Sequence, residues 1–188
     1  MPWWRKQDWA ASERSRRGSS VPSRTGGPGE QVNTEVRVSI PAQPDRTASA
    51  TAPISTDRIA ESLKRLGIRY LSDENNHLLA MWERHVVLFA LEGPDDEILV
   101  IRARAYSGVP KDWAERAYTA VNEWNHTRRF LKSYVGDETE SGLLSLYAEM
   151  QLPLVPGVHD ALLDEVVDCA AAVSGSWVAW LYDEGAVL

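Results

Sequence analysis

The chain has 188 residues, 44% of them hydrophobic and 25% charged, with a formal net charge of -7 and one cysteine. That length predicts one domain with room for a tail, and the composition is that of a globular chain, which excludes collagen-like, disulfide-scaffold and wholly disordered classes. A lone cysteine forms no intrachain disulfide and builds no cysteine-based zinc site, and no apolar run approaches the roughly 18 residues a spanning helix needs.

Charge is distributed unevenly. Residues 1–52 hold eight Arg/Lys against five Asp/Glu, a balance of +3, and leave -10 to residues 53–188. The start, Met1-Pro2-Trp3-Trp4-Arg5-Lys6, has no apolar stretch behind its basic pair, so no ordinary signal peptide is predicted and the expected location is cytoplasmic. Pro, Gly, Ser and Thr then dominate, from Ser19-Ser20-Val21-Pro22 to Pro41 and Pro44. Too few apolar groups are present to offset the entropy of ordering, so residues 1–52 are expected to be a disordered tail. Within it, Val36-Arg37-Val38-Ser39-Ile40 alternates like a short edge strand that Pro41 would end. Trp3, Trp4 and Trp9, interleaved with Arg5, Lys6, Arg14, Arg16 and Arg17, leave three readings open. They are a hydrophobic peptide docking on the acidic domain of the same or a neighbouring chain, a solvated tail, or a site for nucleic acid or an anionic membrane. Arg16-Arg17-Gly18-Ser19 also resembles a basophilic phosphorylation site.

From Ile54 the pattern becomes periodic. Ser55 suits an N-cap, Asp57 the first turn, and Ile59, Leu63 and Leu66 one helix face before Gly67 as C′ residue. Strand signals come next at Arg69–Leu71, His77–Trp82, Val86–Leu91 and Ile98–Ala105, separated by turns that include Asp73-Glu74-Asn75-Asn76 and Gly93-Pro94-Asp95-Asp96. Loops this short predict an antiparallel meander. Pro110 suits the first turn of a second helix, whose face would carry Trp113, Ala117, Val121 and Trp124. Phe130–Val135 and Leu143–Leu152 read as strands, the latter alternating cleanly with Leu144, Leu146, Ala148, Met150 and Leu152 on one side. A last helix is predicted over about Val158–Trp180, with Leu162, Val166, Cys169, Val173, Trp177 and Leu181 as its apolar stripe. Residues 53–188 thus form an α+β domain, an antiparallel sheet packed on helices in the order α-β(3-4)-α-β2-α.

No convergent catalytic set emerges. His77, His85, His126 and His159 are scattered, with no i, i+4 metal pair on a helix. Glu123-x-x-His126 is half of a dimetal carboxylate motif whose other half is missing, so a solvated helix end explains it better. Cys169 falls on an apolar stripe, where a cysteine is usually a small buried hydrophobe rather than a nucleophile. Val173-Ser174-Gly175-Ser176 lies mid-helix and is no nucleophile elbow, and neither phosphate-cradling glycine loop occurs. No catalytic, cofactor-binding or metal-binding residue is assigned. The acidic domain disfavours contact with phosphate.

The stretch from about Thr56 to Tyr182 resembles a YbjN domain, a bacterial group labelled sensory transduction regulators. The likeness rests on the element order, on Val121-Asn122-Glu123-Trp124-Asn125 at the end of the second helix, on Glu149-Met150-Gln151-Leu152-Pro153, and on Gly157 before the last helix. It implies a fold similar to type III secretion chaperones, small α+β dimers without enzymatic activity that hold extended segments of other proteins. By this reading Asn122, Glu123, Trp124, Asn125 and Gly157 are motif residues, with Trp124 in the core and Asn122 and Asn125 bracing the helix end. Arg69–Leu71 or Phe130–Val135 at a sheet edge would offer unpaired backbone to a partner, and Trp82 and Trp113 are candidate interface aromatics. The expectation is a non-enzymatic, chaperone-like or regulatory homodimer binding a protein or peptide. The alternatives are an adaptor that binds nucleic acid or membrane through its tail, or a small-molecule sensor.

Overall fold

A computed structural model describes residues 50–183, 185, 187 and 188. The expectations for Trp3, Trp4, Trp9, the basic tail and Val36–Ile40 fall outside these residues. The described elements are α1 (Thr56–Arg65), β1 (Tyr70–Ser72), β2 (Leu78–Met81), β3 (His85–Glu92), β4 (Ile98–Ala105), β5 (Val109–Pro110), a single 3-10 turn (Lys111–Trp113), α2 (Ala114–Thr127), β6 (Lys132–Glu138), β7 (Leu143–Pro153) and α3 (Asp160–Tyr182).

Local chemistry places the first helix as the sequence implies. Ser55 Oγ accepts the Arg58 N–H at 3.3 Å, and Ile59 and Leu63 are fully buried. Gly67 takes φ +70°, so that its N–H reaches the Lys64 carbonyl and the Ile68 N–H the Leu63 carbonyl. This pair of bonds is a Schellman closure, which a residue with a Cβ would strain. The turn after β1 is held by Asp73, whose Oδ1 accepts the N–H groups of Asn75 and His77.

The strands form one antiparallel sheet in the order β1-β2-β3-β4-β7. β7 pairs with β4 and the short β5 along one side and with β6 along the other. β1 and β6 are therefore the outermost strands, the two edges that the sequence suggested. Helix residues Ile59, Leu63, Val121, Trp124, Leu163, Val167 and Trp177 share one core with Val87, Phe89, Ile101, Ala103, Leu146 and Ala148. All three helices thus cover the same face of the sheet. Full burial of side chains this large contributes about 1.5–3 kcal/mol each, so this layer holds the fold together.

Several expectations need correction. Pro110 does not open α2; it follows buried Val109 into a two-residue pairing with Leu143 and Leu144, and the helix starts only at Ala114. Trp113 consequently sits in the 3-10 turn, off the Ala117–Val121–Trp124 face, and is 46% exposed with the Arg116 guanidinium 5.1 Å over its ring. Phe130 and Leu131 precede β6 rather than belonging to it; both pack on the core, Leu131 fully buried. α3 begins at Asp160, with His159 as N-cap accepting the Leu162 N–H on Nδ1. Its buried stripe is Leu163, Val167, Ala170, Ser174, Trp177 and Leu181, while Leu162 is exposed and Cys169 only partly buried. The doublets Leu162-Leu163 and Val166-Val167 offer two apolar stripes one residue apart. The choice between them is tertiary, and on the side of α3 that lies toward α1 Arg58 and Arg65 bond Asp160 and Asp164.

Candidate binding face

The motif residues of α2 meet the rest of the domain at Ser133. Trp124 is buried and donates its indole N–H to the Leu131 carbonyl at 2.9 Å. The Asn125 side chain lies alongside β6 like one residue of a missing neighbouring strand. Its Oδ1 accepts the Ser133 N–H and its Nδ2 donates to the Ser133 carbonyl, both at 2.8 Å. The Ser133 hydroxyl donates to the Tyr147 carbonyl and accepts the Trp177 indole N–H, each at 3.0 Å. One small residue thus ties α2, β6, β7 and α3 together with its backbone and side chain satisfied. Asn125 braces a strand, not the helix end. Asn122 and Glu123 are exposed, and the Glu123 carbonyl accepts the Thr127 hydroxyl.

Gly157 precedes Val158, which pairs with Ala52 as an isolated bridge. Gly157 has φ +81°, and a Cβ there would stand 2.7 Å from the Ala52 carbonyl oxygen. Arg58 completes this clasp by donating to the carbonyls of Ala52, Pro53 and Val158 and to Asp160. Gly157 therefore serves the seating of the chain ahead of α1.

Trp82 is half-buried and stacks on His85, with ring centroids 5.0 Å apart and planes 6° from parallel. His85 and Ser174, both buried, form the pair that sequence reasoning missed: Nε2 lies 3.1 Å from Ser174 Oγ. Ser174 Oγ also lies 2.9 Å from the Ala171 carbonyl, within reach of its hydroxyl as donor. His85 Nδ1 has no hydrogen-bond partner among the described residues, so no third group orients the ring as a histidine base requires. Burial holds His85 below its ordinary pKa and therefore neutral. The arrangement suits a core bridge from β3 to α3. Burial, then Glu165 and Asp168, push the Cys169 thiol up and away from thiolate reactivity. Among the described residues, no three His, Cys, Asp or Glu side chains gather to hold a metal ion. No described helix is long and apolar enough to cross a membrane.

The opposite sheet face carries no helix among the described residues. The register places Leu71, Leu79 and Leu88 in one cross-strand row and Met81 and Val86 in the next. None of these belongs to the helix-side core, and Leu71 and Met81 are 63% and 58% exposed. Between them and β7, Ala90 and Val100 are buried at their own pairing site, also outside that core. Leu88 continues across to Arg102 and then Glu149, and Val86 to Arg104 and then Tyr147.

Toward β6 the face turns polar and aromatic. Glu149 is its hub, accepting from Arg102 Nε, from the Tyr134 hydroxyl at 3.0 Å and from Gln151 Nε2 at 2.7 Å. Tyr134 and Tyr147 stack at 5.3 Å. Gly136 makes room for them, since a Cβ there would lie 2.4 Å from the Tyr147 ring. Burial and then the Glu149 charge push the Tyr134 phenol well up, so its hydroxyl stays protonated and donates to Glu149. The face is therefore half apolar and half a fixed Arg–Glu–Tyr lattice.

Comparison with known proteins bears on this arrangement. Residues 55–183 match the YbjN family, described as "Putative bacterial sensory transduction regulator". No curated protein matches the chain. Among solved structures the fold is similar to that of YbjN from E. coli, described as "a putative transcription regulator". The match has a TM-score of 0.60 at 15% identity and covers 72% of this chain and 96% of that one.

Proposed function

The chain belongs to the YbjN family, and from that premise we propose that it is a non-enzymatic, chaperone-like regulatory protein of the cytoplasm that works as a homodimer and binds other polypeptides through its open sheet face. The observation that carries the proposal is that face. Among the described residues helices cover one side of the sheet only, and the other presents Leu71, Met81, Leu79 and Leu88 beside a hydrogen-bonded polar lattice. Apolar patches of this kind mark interaction sites, because leaving them in water costs about 25 cal/mol for each Å². The outer strands β1 and β6 extend the same surface.

The test is sedimentation and affinity capture with the full-length chain and its Met81→Glu and Leu88→Glu variants. The proposal predicts a dimer at tens of micromolar and captured polypeptides that the two variants fail to retain. A strictly monomeric chain whose captured set is unchanged in both variants would overturn it.

A further inference from the structure

Charge on the open face runs against the charge of the domain. Residues 53–188 carry -10 overall, yet Arg102, Arg104 and Lys132 stand together where β4, β7 and β6 meet. Glu149 sits among them, and its carboxylate is already engaged by Arg102 and the Tyr134 hydroxyl. Glu92 lies at the far end of β3, opposite Ile98. Arg104 and Lys132 enter no ion pair among the described residues, and Lys132 Nζ reaches only the Asn125 carbonyl at 3.3 Å. Arg104 therefore stands between Val86 of the apolar half and Tyr147, while Lys132 stands beside Glu149 on the outer strand, and both side chains are exposed.

We infer that the occupant of this face is an acidic, apolar segment of another polypeptide, whose hydrophobic side chains lie on Leu79, Met81 and Leu88 and whose carboxylates meet Arg104 and Lys132. This rests on the reading of the open face as the binding surface. Cations outside any ion pair among the described residues, on a face that also presents leucine and methionine, complement a ligand that is apolar and anionic at once. A nucleic-acid strand would answer the cations but leave the apolar half uncovered, and its phosphates would meet the negative field of the domain. A basic segment would place like charges together.

The test uses the full chain and two labelled synthetic peptides of equal length and leucine spacing, one with glutamate and one with lysine at the polar positions, followed by fluorescence anisotropy. A short oligothymidine strand is the third ligand. The glutamate peptide should bind, weaken as salt rises, and lose about tenfold in affinity in the Arg104→Glu/Lys132→Glu variant, about 1.4 kcal/mol for two exposed pairs. Arg104→Gln and Lys132→Gln should each show part of that loss. A preference for the lysine peptide, or equal binding of both that Met81→Glu abolishes, would overturn the charge assignment and leave the face as the binding surface. Tighter binding of oligothymidine than of the glutamate peptide would overturn the inference in favour of nucleic acid. Binding of neither peptide would overturn both the inference and the reading beneath it.

Discussion

Replacing Asn125 with alanine removes one side chain and two hydrogen bonds, both to the backbone of a residue that is only 4% exposed. A hydrogen bond contributes about 1 kcal/mol net, whereas a buried donor or acceptor left without a partner costs about 1–3 kcal/mol. Ser133 would keep its Tyr147 and Trp177 bonds but lose both partners of its outward N–H and carbonyl. Water entering the space left by the amide would recover part of the deficit, so about 2–4 kcal/mol is expected for Asn125→Ala. For a chain of this size that corresponds to a fall in Tm of about 10 °C. Asn125→Asp sharpens the test because it keeps the acceptor for the Ser133 N–H but turns the donor into an anionic oxygen facing a carbonyl. At neutral pH the aspartate variant should be at least as unstable as the alanine one. Below about pH 4 the protonated carboxyl can donate again, and its deficit relative to the parent should narrow. Urea unfolding of the three proteins at about pH 7 and about pH 3.5 measures both effects. A loss below about 0.5 kcal/mol for Asn125→Ala, or an aspartate deficit independent of pH, would refute this role for the amide.

Other outcomes rest on the same contacts. Ser133→Ala leaves the Trp177 indole N–H unpartnered in the core and removes the hydroxyl bond to the Tyr147 carbonyl, and should cost about 2 kcal/mol in urea unfolding. Gly157→Ala forces a Cβ against the Ala52 carbonyl at positive φ. It should lower Tm and open the chain ahead of α1 to limited proteolysis, with a cost of about 1–2 kcal/mol for the left-handed backbone alone. Burial lowers the pKa of His85 in the folded state relative to its ordinary 6.5. The unfolded chain therefore binds this proton first, so stability is full above pH 6.5 and falls as pH drops from there toward the folded value. Asp73, Glu61 and Asp164 have lowered pKa values and lose their contributions only below their ordinary values of 3.8, 4.5 and 3.8. Stability measured from about pH 7 to about pH 5 should slope in the parent and flatten in His85→Gln; equal slopes would contradict the assignment.

Much of the scaffold was legible because single residues imposed it. Ser55, Gly67 and the Ile59–Leu63 spacing specify α1 locally, and the strict alternation from Leu144 to Leu152 allows only one face of β7 to be buried. α3 was misread because two apolar stripes coexist in its sequence, and packing against the rest of the domain, not the helix itself, decides which is buried. Pro110 looked like a helix start because proline fits both a first turn and the end of a short outer strand. The open face was hidden for a related reason. Val86-Val87-Leu88-Phe89-Ala90-Leu91 is continuously apolar, the pattern of a strand covered on both sides, yet only Val87, Phe89 and Leu91 turn toward the helices. The Asn125–Ser133 hub and the His85–Ser174 bridge join residues 8 and 89 positions apart through common side chains. No periodicity marks such contacts, although the Asn-Glu-Trp-Asn motif pointed at the first of them.

The central claim is that this domain acts by holding another polypeptide on its open sheet face. A photo-crosslinking amino acid placed at position 79, 88 or 104 of the full-length chain, and at positions 61 and 64 on the exposed side of α1, tests it inside the native host. The account predicts polypeptide adducts from the three sheet positions and none from the helix. Adducts confined to positions 61 and 64, with bare chain at 79, 88 and 104, would contradict it.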